Sequence, residues 1–354
     1  MSADDLIKMA TKNHVTLSDQ DREVLLRFVD GAEGRFDLET LLADLSTAVR
    51  FSKSRYAKQD FTDSRQTELK SLLAKVNKTL SMACDLANDA SKENEDLRAH
   101  RTFFSRVVAS RRGDLPRLRV YTTNYDLVIE KSLDNLGLDY IDGFIGTVNR
   151  TLRMDVYSRE YYTTIPPTND RRPRRLADFL YFYKIHGSLN WRSRTDHSRT
   201  MVDRVLQIPN YSTTPYDDLS LIYPTPQKEA DTLGYPYSDL LRAFGGTLSE
   251  PDTALLTFGY GFSDEHINRI IAQSLASNST LAIIIVDPYL LQTDGDEDTL
   301  VDTPIARFAG IDDARVAAIT GEDCTFVRFA DTFLPAVSPE DEAAEKASAE
   351  NAAD

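Results

Sequence analysis

Apolar positions recur at three- and four-residue steps through the first third of the chain. Leu38, Leu41, Leu42, Leu45 and Val49 draw one stripe, and Leu69, Leu72, Leu73, Val76, Leu80 and Ala83 draw a second. That period is the mark of helices with one buried face. Phe103, Phe104, Val107 and Val108 begin a further face, which stops at the breaker Arg111-Arg112-Gly113-Asp114-Leu115-Pro116. Residues 1–115 therefore read as a helical region.

After Pro116 the pattern changes. Leu118-Arg119-Val120-Tyr121 is short and β-prone, and polar Thr122-Thr123-Asn124-Tyr125-Asp126 follows at once, then a helical stretch through Leu133. The same grammar returns where Phe179–Ile185 runs into His186-Gly187-Ser188. It returns where Ala254–Phe258 runs into Gly259-Tyr260-Gly261-Phe262-Ser263-Asp264, where Leu281–Val286 ends in Asp287-Pro288, and at Cys324–Phe329. Short apolar strands separated by helices or long excursions predict an α/β fold with a Rossmann-type parallel sheet over 116–335. Residues 140–178 and 192–250 are too long and too rich in Pro, Tyr and Asp for plain connections, and predict a second small irregular or helical subdomain. From Ser338 the chain is Ala/Glu-rich with little to bury, so 336–354 is expected to be a disordered acidic tail.

Composition narrows the partners. With 41 Lys+Arg against 56 Asp+Glu the chain carries a net charge of −15, which repels phosphate backbones and makes direct nucleic-acid binding an unfavoured reading. The cluster Arg171-Arg172-Pro173-Arg174-Arg175 is read as a solvated loop against that total. Two cysteines, Cys84 and Cys324, are too few for a disulfide framework or a four-Cys zinc site. No metal is expected. The longest apolar run, Leu281–Val286, falls far short of a membrane span of about 20 residues, and the N-terminus has no secretory pattern. A cytoplasmic protein with no membrane partner is expected.

In parallel sheets ligands bind beyond the carboxyl ends of the strands, where these polar loops lie. His186 leaves a strand beside Gly187, placed either as a general base on a ribose hydroxyl or water, or as an imidazole simply hydrogen-bonded at a strand end. Asn124 can place a water or hold a ribose hydroxyl, while Asn124 and Asp126 are also simply good turn residues. Gly259 and Gly261 precede a helix with Ile267, Ile270, Ile271 and Leu275 on one face, whose N-terminal N–H groups could meet a phosphate or be capped by Ser263 or Asp264. Asp287 could accept from ribose hydroxyls or close a turn.

Taken together and in order, Thr122-Thr123-Asn124-Tyr125-Asp126, Lys184-Ile185-His186-Gly187-Ser188 and Gly259-Tyr260-Gly261-Phe262-Ser263-Asp264 resemble the sirtuin-like domain of bacterial NAD-hydrolysing antiphage defence proteins. The resemblance spans about 118–330, with the preceding helices similar to that family's insertion after its first strand. It implies NAD as substrate, Asn124 and His186 as the catalytic pair, and dinucleotide contacts at Gly259, Ser263 and Asp264; Asp126 is read as supporting the pair, and Thr123, Gly187, Gly261 and Asp287 as further cofactor contacts. It implies a homo-oligomer beside a HerA-type hexameric ATPase. Two departures stand out: no glycine precedes Gly31, so the family's Gly-Ala-Gly-x-Ser phosphate loop is missing from this sequence, and there are no Cys-x-x-Cys pairs. The chain is therefore expected to begin downstream of that loop and to bind NAD weakly, and protein deacylation is disfavoured. The alternative reading is a catalytically weak sensor or assembly subunit that keeps the fold.

Overall fold

The computed structural model describes residues 3–12, 15–29, 38–52, 63–83, 93–111, 115–163, 173–176, 178–195, 203–209, 219–221, 234–294, 297–300 and 303–335. The described part of 1–115 is helical: α1 (Ala3–Lys12), α2 (Asp19–Val29), α3 (Leu38–Ser52), α4 (Asp63–Ala83) and α5 (Glu93–Ser110). The apolar stripes of α1 to α4 meet in one core of Leu6, Leu25, Leu41, Leu42, Leu45, Leu72 and Val76. A groove of about 250 Å³ on α2, α3 and α4 is lined by Gln20, Glu23, Arg27, Arg65 and Glu68 among others. Helix α5 packs elsewhere. Its Phe104 is buried with Leu133, Leu180 and Phe182, and its Phe103 ring lies 5.3 Å from that of Phe258.

The next elements are β1 (Leu118–Thr122), α6 (Val128–Leu136), β2 (Asp139–Ile141), β3 (Phe144–Ile145), β4 (Arg150–Leu152), β5 (Tyr162–Thr163), β6 (Arg174–Arg175) and β7 (Phe179–Lys184). They are followed by β8 (Gly187–Thr195), β9 (Asp203–Gln207), β10 (Leu219–Leu221), α7 (Tyr237–Leu248), β11 (Ala254–Phe258), α8 (Glu265–Ser277) and β12 (Ala282–Val286). The hairpin β13 (Leu291–Asp294) and β14 (Glu297–Leu300), then α9 (Pro304–Ala309), β15 (Val316–Ile319) and α10 (Phe326–Phe333), complete the described chain.

Two three-stranded parallel sheets form the frame, β1-β7-β2 and β11-β12-β15. This is the α/β, Rossmann-like arrangement the strand–loop–helix grammar predicts. Every residue of β7 is buried, as a central parallel strand requires. Among the described residues, β1 and β11 each pair on one side only. Both are nevertheless packed by the same helices: the Tyr121 ring of β1 lies 5.0 Å from Phe244 of α7, and Phe244 is buried with the core of the second sheet.

The structure departs from expectation in the excursions and near the end. The described parts of 140–178 and 192–250 are not irregular alone: they build an antiparallel sheet of order β10-β8-β9-β4-β3, with β5 and β6 as a separate pair. The strand expected at Cys324–Phe329 is a short 3₁₀ turn followed by helix α10. Phe329 and Ala330 bury its apolar face, and the Thr325 side chain accepts from the Arg328 N–H to cap it. The last parallel strand is instead Val316–Ile319. Arg174 and Arg175 lie in β6, while Arg171, Arg172, Cys84 and the tail 336–354 lie outside the described residues.

Arg175 is committed to structure. Its Nε and Nη2 donate to Glu160 Oε2, and Arg117 Nε donates to Oε1 at 2.9 Å, tying the start of β1 to β6. Burial opposes ionisation of Glu160, but the bonds from Arg117 and Arg175 outweigh it and hold the carboxyl below its usual range. A depressed folded value means stabilisation that is present at neutral pH and lost as pH falls through it. Glu160→Gln is therefore expected to lower stability at pH 7 by about 1 kcal/mol, with the gap to wild type closing below about pH 4, as read from urea midpoints. In the core, Leu180 is fully buried in β7, and Leu180→Ala should cost about 2–5 kcal/mol by the same measurement.

Candidate functional site

Register brings the motifs together. Strands β1 and β7 run parallel with Thr122 opposite Lys184, so Asn124 and His186 each stand two residues past adjacent strand ends. Asn124 is exposed and Thr123 half-buried, while His186 and Gly187 are buried. Gly187 has φ +87°, the left-handed turn that lets the chain reverse into β8. In the second sheet Phe258 lies opposite Val286, which sets Gly259 beside Asp287.

The loop carrying Asn124 is fastened at many points. The Ile185 N–H donates to the Thr122 carbonyl at 2.9 Å, and the Leu189 N–H to the Tyr125 carbonyl at 3.0 Å. The Asn124 N–H donates to Thr122 Oγ1 at 3.0 Å. Asp126 Oδ1 accepts from the Val128 N–H at 2.9 Å, closing a turn just ahead of α6 and orienting the loop. Lys184 Nζ, at 3% side-chain exposure, reaches Glu130 Oε1 at 2.8 Å, the Tyr125 carbonyl at 3.3 Å and the Asp126 carbonyl. Burial pushes the Glu130 carboxyl upward while the Lys184 ammonium pulls against it. The sequence shows Lys184 only as the one charge in an apolar strand, and nothing there links it to Glu130.

The glycine loop is braced from α8. Tyr260 Oη donates to Asn268 Oδ1 at 2.9 Å, and Asn268 Nδ2 donates to the Phe262 carbonyl at 2.7 Å. Burial also pushes the Tyr260 hydroxyl well above its usual range, keeping it a donor. Phe262 is held at φ +52° while fully buried against Phe308, a strained conformation for a side chain of this size. Gly259 has φ +59°, and a Cβ at Gly259 or Gly261 would meet nothing within 4 Å, so the loop is open on that side. Ser263 is exposed.

Asp264, not Ser263, caps α8. Its Oδ1 accepts from the N–H groups of His266 at 3.0 Å and Ile267 at 3.3 Å. Those two donors, which the sequence offers to a phosphate, are thus already taken by a carboxylate. The other oxygen, Oδ2, lies 3.0 Å from His186 Nε2, with both side chains about nine-tenths buried. This contact joins the carboxyl ends of the two parallel sheets. Asp287 stands apart: its Oδ1 accepts from the Tyr289 N–H at 2.8 Å and closes a turn, while its N–H donates to the Ile319 carbonyl. Among the described residues, no three His, Cys, Asp or Glu side chains gather as a metal site, and no helix is long and apolar enough to cross a membrane.

A search of curated proteins finds no match. Residues 118–302 match the family model of the SIR2-like domain, which covers β1 through β14 and every candidate site residue named above. The chain belongs to the SIR2-like domain family, and with it to a sirtuin-like, NAD-related function.

Proposed function

We propose that this site cleaves the nicotinamide–ribose bond of NAD by water, releasing nicotinamide and ADP-ribose. The observation that carries the reading is the register of β1 and β7, which sets an exposed Asn124 beside a buried His186 at the mouth of a SIR2-like sheet. As nicotinamide leaves, the ribose C1′ gains oxocarbenium character, so the protein needs a placed water, a proton acceptor and little covalent help. The Asn124 amide can hold that water or a ribose hydroxyl. His186 can take the proton through a ribose hydroxyl, with Asp126 fixing the loop and Thr123 and Gly187 lining it. Backbone N–H groups at Gly259 and Gly261 and the Ser263 hydroxyl are offered to ribose and phosphate, and Asp287 to the adenosine side.

In the cell such an activity would deplete NAD, and the proposed role is a cytoplasmic antiphage effector, assembled as a homo-oligomer with a HerA-type hexameric ATPase. One observation favours a second reading, a weakly active sensor or assembly subunit. Asp264 occupies N–H donors of α8 that a pyrophosphate would otherwise use, which leaves fewer groups to hold NAD. Incubating the purified chain with NAD and following free nicotinamide separates the two. Sustained release supports the hydrolase; NAD binding without release supports the sensor.

A further inference from the structure

We propose that Asp264 is a positioning residue that fixes the tautomer of His186, so that Nδ1 is the ring nitrogen that accepts the proton. The inference rests on the NAD-cleavage reading and deepens it. An ionised carboxylate can only accept hydrogen bonds. Asp264 Oδ2 lies 3.0 Å from Nε2, and a neutral imidazole can donate across that contact only with its hydrogen on Nε2, which leaves the Nδ1 lone pair for chemistry. When Nδ1 takes a proton, the imidazolium keeps the same Nε2–H donation, and the buried carboxylate balances the new charge.

Asp264 cannot turn away from His186, because its second oxygen is committed. Oδ1 receives the His266 and Ile267 N–H groups at the start of α8, and an anion is favoured at that helix end. The carboxylate is therefore anchored by one helix while it orients a base that leaves a strand of the other sheet. Phe262, two residues upstream, is fully buried at φ +52°.

Asp264→Asn gives a sharp test. Its carbonyl oxygen must stay on the two helix N–H groups, so its NH₂ faces His186 and can only donate. The imidazole then has to accept at Nε2 and move its hydrogen to Nδ1. Asp264→Asn should fold with its cap intact, yet kcat for NAD cleavage should fall by about 10²–10⁴-fold, the span of a misplaced general base. KM should change by less than about threefold, because Asp264 acts through the base and not on the substrate. Asp264→Ser, which keeps a cap but offers no partner at that distance, should also lose turnover.

The deciding measurement is nitrogen-15 NMR of histidine-labelled protein at a pH where the ring is neutral, with His186 assigned by its loss in His186→Gln. The expected result is the Nε2–H tautomer in wild type and the Nδ1–H tautomer in Asp264→Asn. A wild-type Nδ1–H ring, an unchanged tautomer in the variant, or inversion with full turnover would each overturn the proposal. A wild-type protein without turnover would overturn NAD cleavage instead, and the tautomer result would still decide the positioning claim by itself.

Discussion

Alanine at Asn124 or at His186 is expected to abolish NAD cleavage, lowering turnover by at least about 10²-fold, the smallest loss typical of removing an acid–base group. The two variants should differ in stability. Asn124 is exposed, and its loop is held through main-chain bonds that the substitution leaves in place, so the change should lie within about 0.5 kcal/mol. His186 is buried against Asp264, whose Oδ2 would lose its partner. Losing that buried partner should cost about 1–3 kcal/mol, softened because Oδ1 keeps both helix N–H groups. Nicotinamide release and urea midpoints on the same preparations check both halves. Near-native turnover in either variant would remove that residue from the catalytic pair.

The largest stability effect should come from Lys184→Met. The ammonium is buried at 3% exposure, and the substitution would leave Glu130 without its cation in an apolar setting. Breaking a buried pair from one side typically costs about 3–5 kcal/mol. Removing the second charge as well should relieve most of that loss, so Lys184→Met with Glu130→Leu is expected to be markedly more stable than Lys184→Met alone. Activity should not recover with it, because the carbonyls of Tyr125 and Asp126 still lack the donor that steadies the Asn124 loop. Urea unfolding of the single and double variants reads the first effect, and nicotinamide release the second. Equal stabilities for the two would show that the pair is not what holds β7 to α6.

Four of the six parallel strands, β1, β7, β11 and β12, were legible because each is a short apolar run ended abruptly by polar residues, and that is also where the site lies; β2 and β15 were not read from the sequence. Asn124, His186 and the Gly259–Asp264 loop could be placed at strand ends from that pattern alone. The antiparallel sheet was not legible, since β3, β4 and β10 have only two or three residues each, too few for alternation to show. Cys324–Phe329 misled because its residues are β-prone one by one. Phe326, Phe329, Ala330 and Phe333 nevertheless recur at helical spacing, and packing of Phe326 and Phe329 on Phe258 decides for the helix. The contacts that tune the site were beyond reach for another reason. Lys184 with Glu130, and His186 with Asp264, pair residues far apart in sequence, and only the folded sheet makes them neighbours.

Water is the proposed acceptor at C1′, and the product balance from one incubation with NAD tests this most directly. Chromatographic separation should show nicotinamide and ADP-ribose appearing one to one, with neither formed by Asn124→Ala or His186→Ala. Intact NAD after prolonged incubation of the folded protein, or nicotinamide released without matching ADP-ribose, would contradict it.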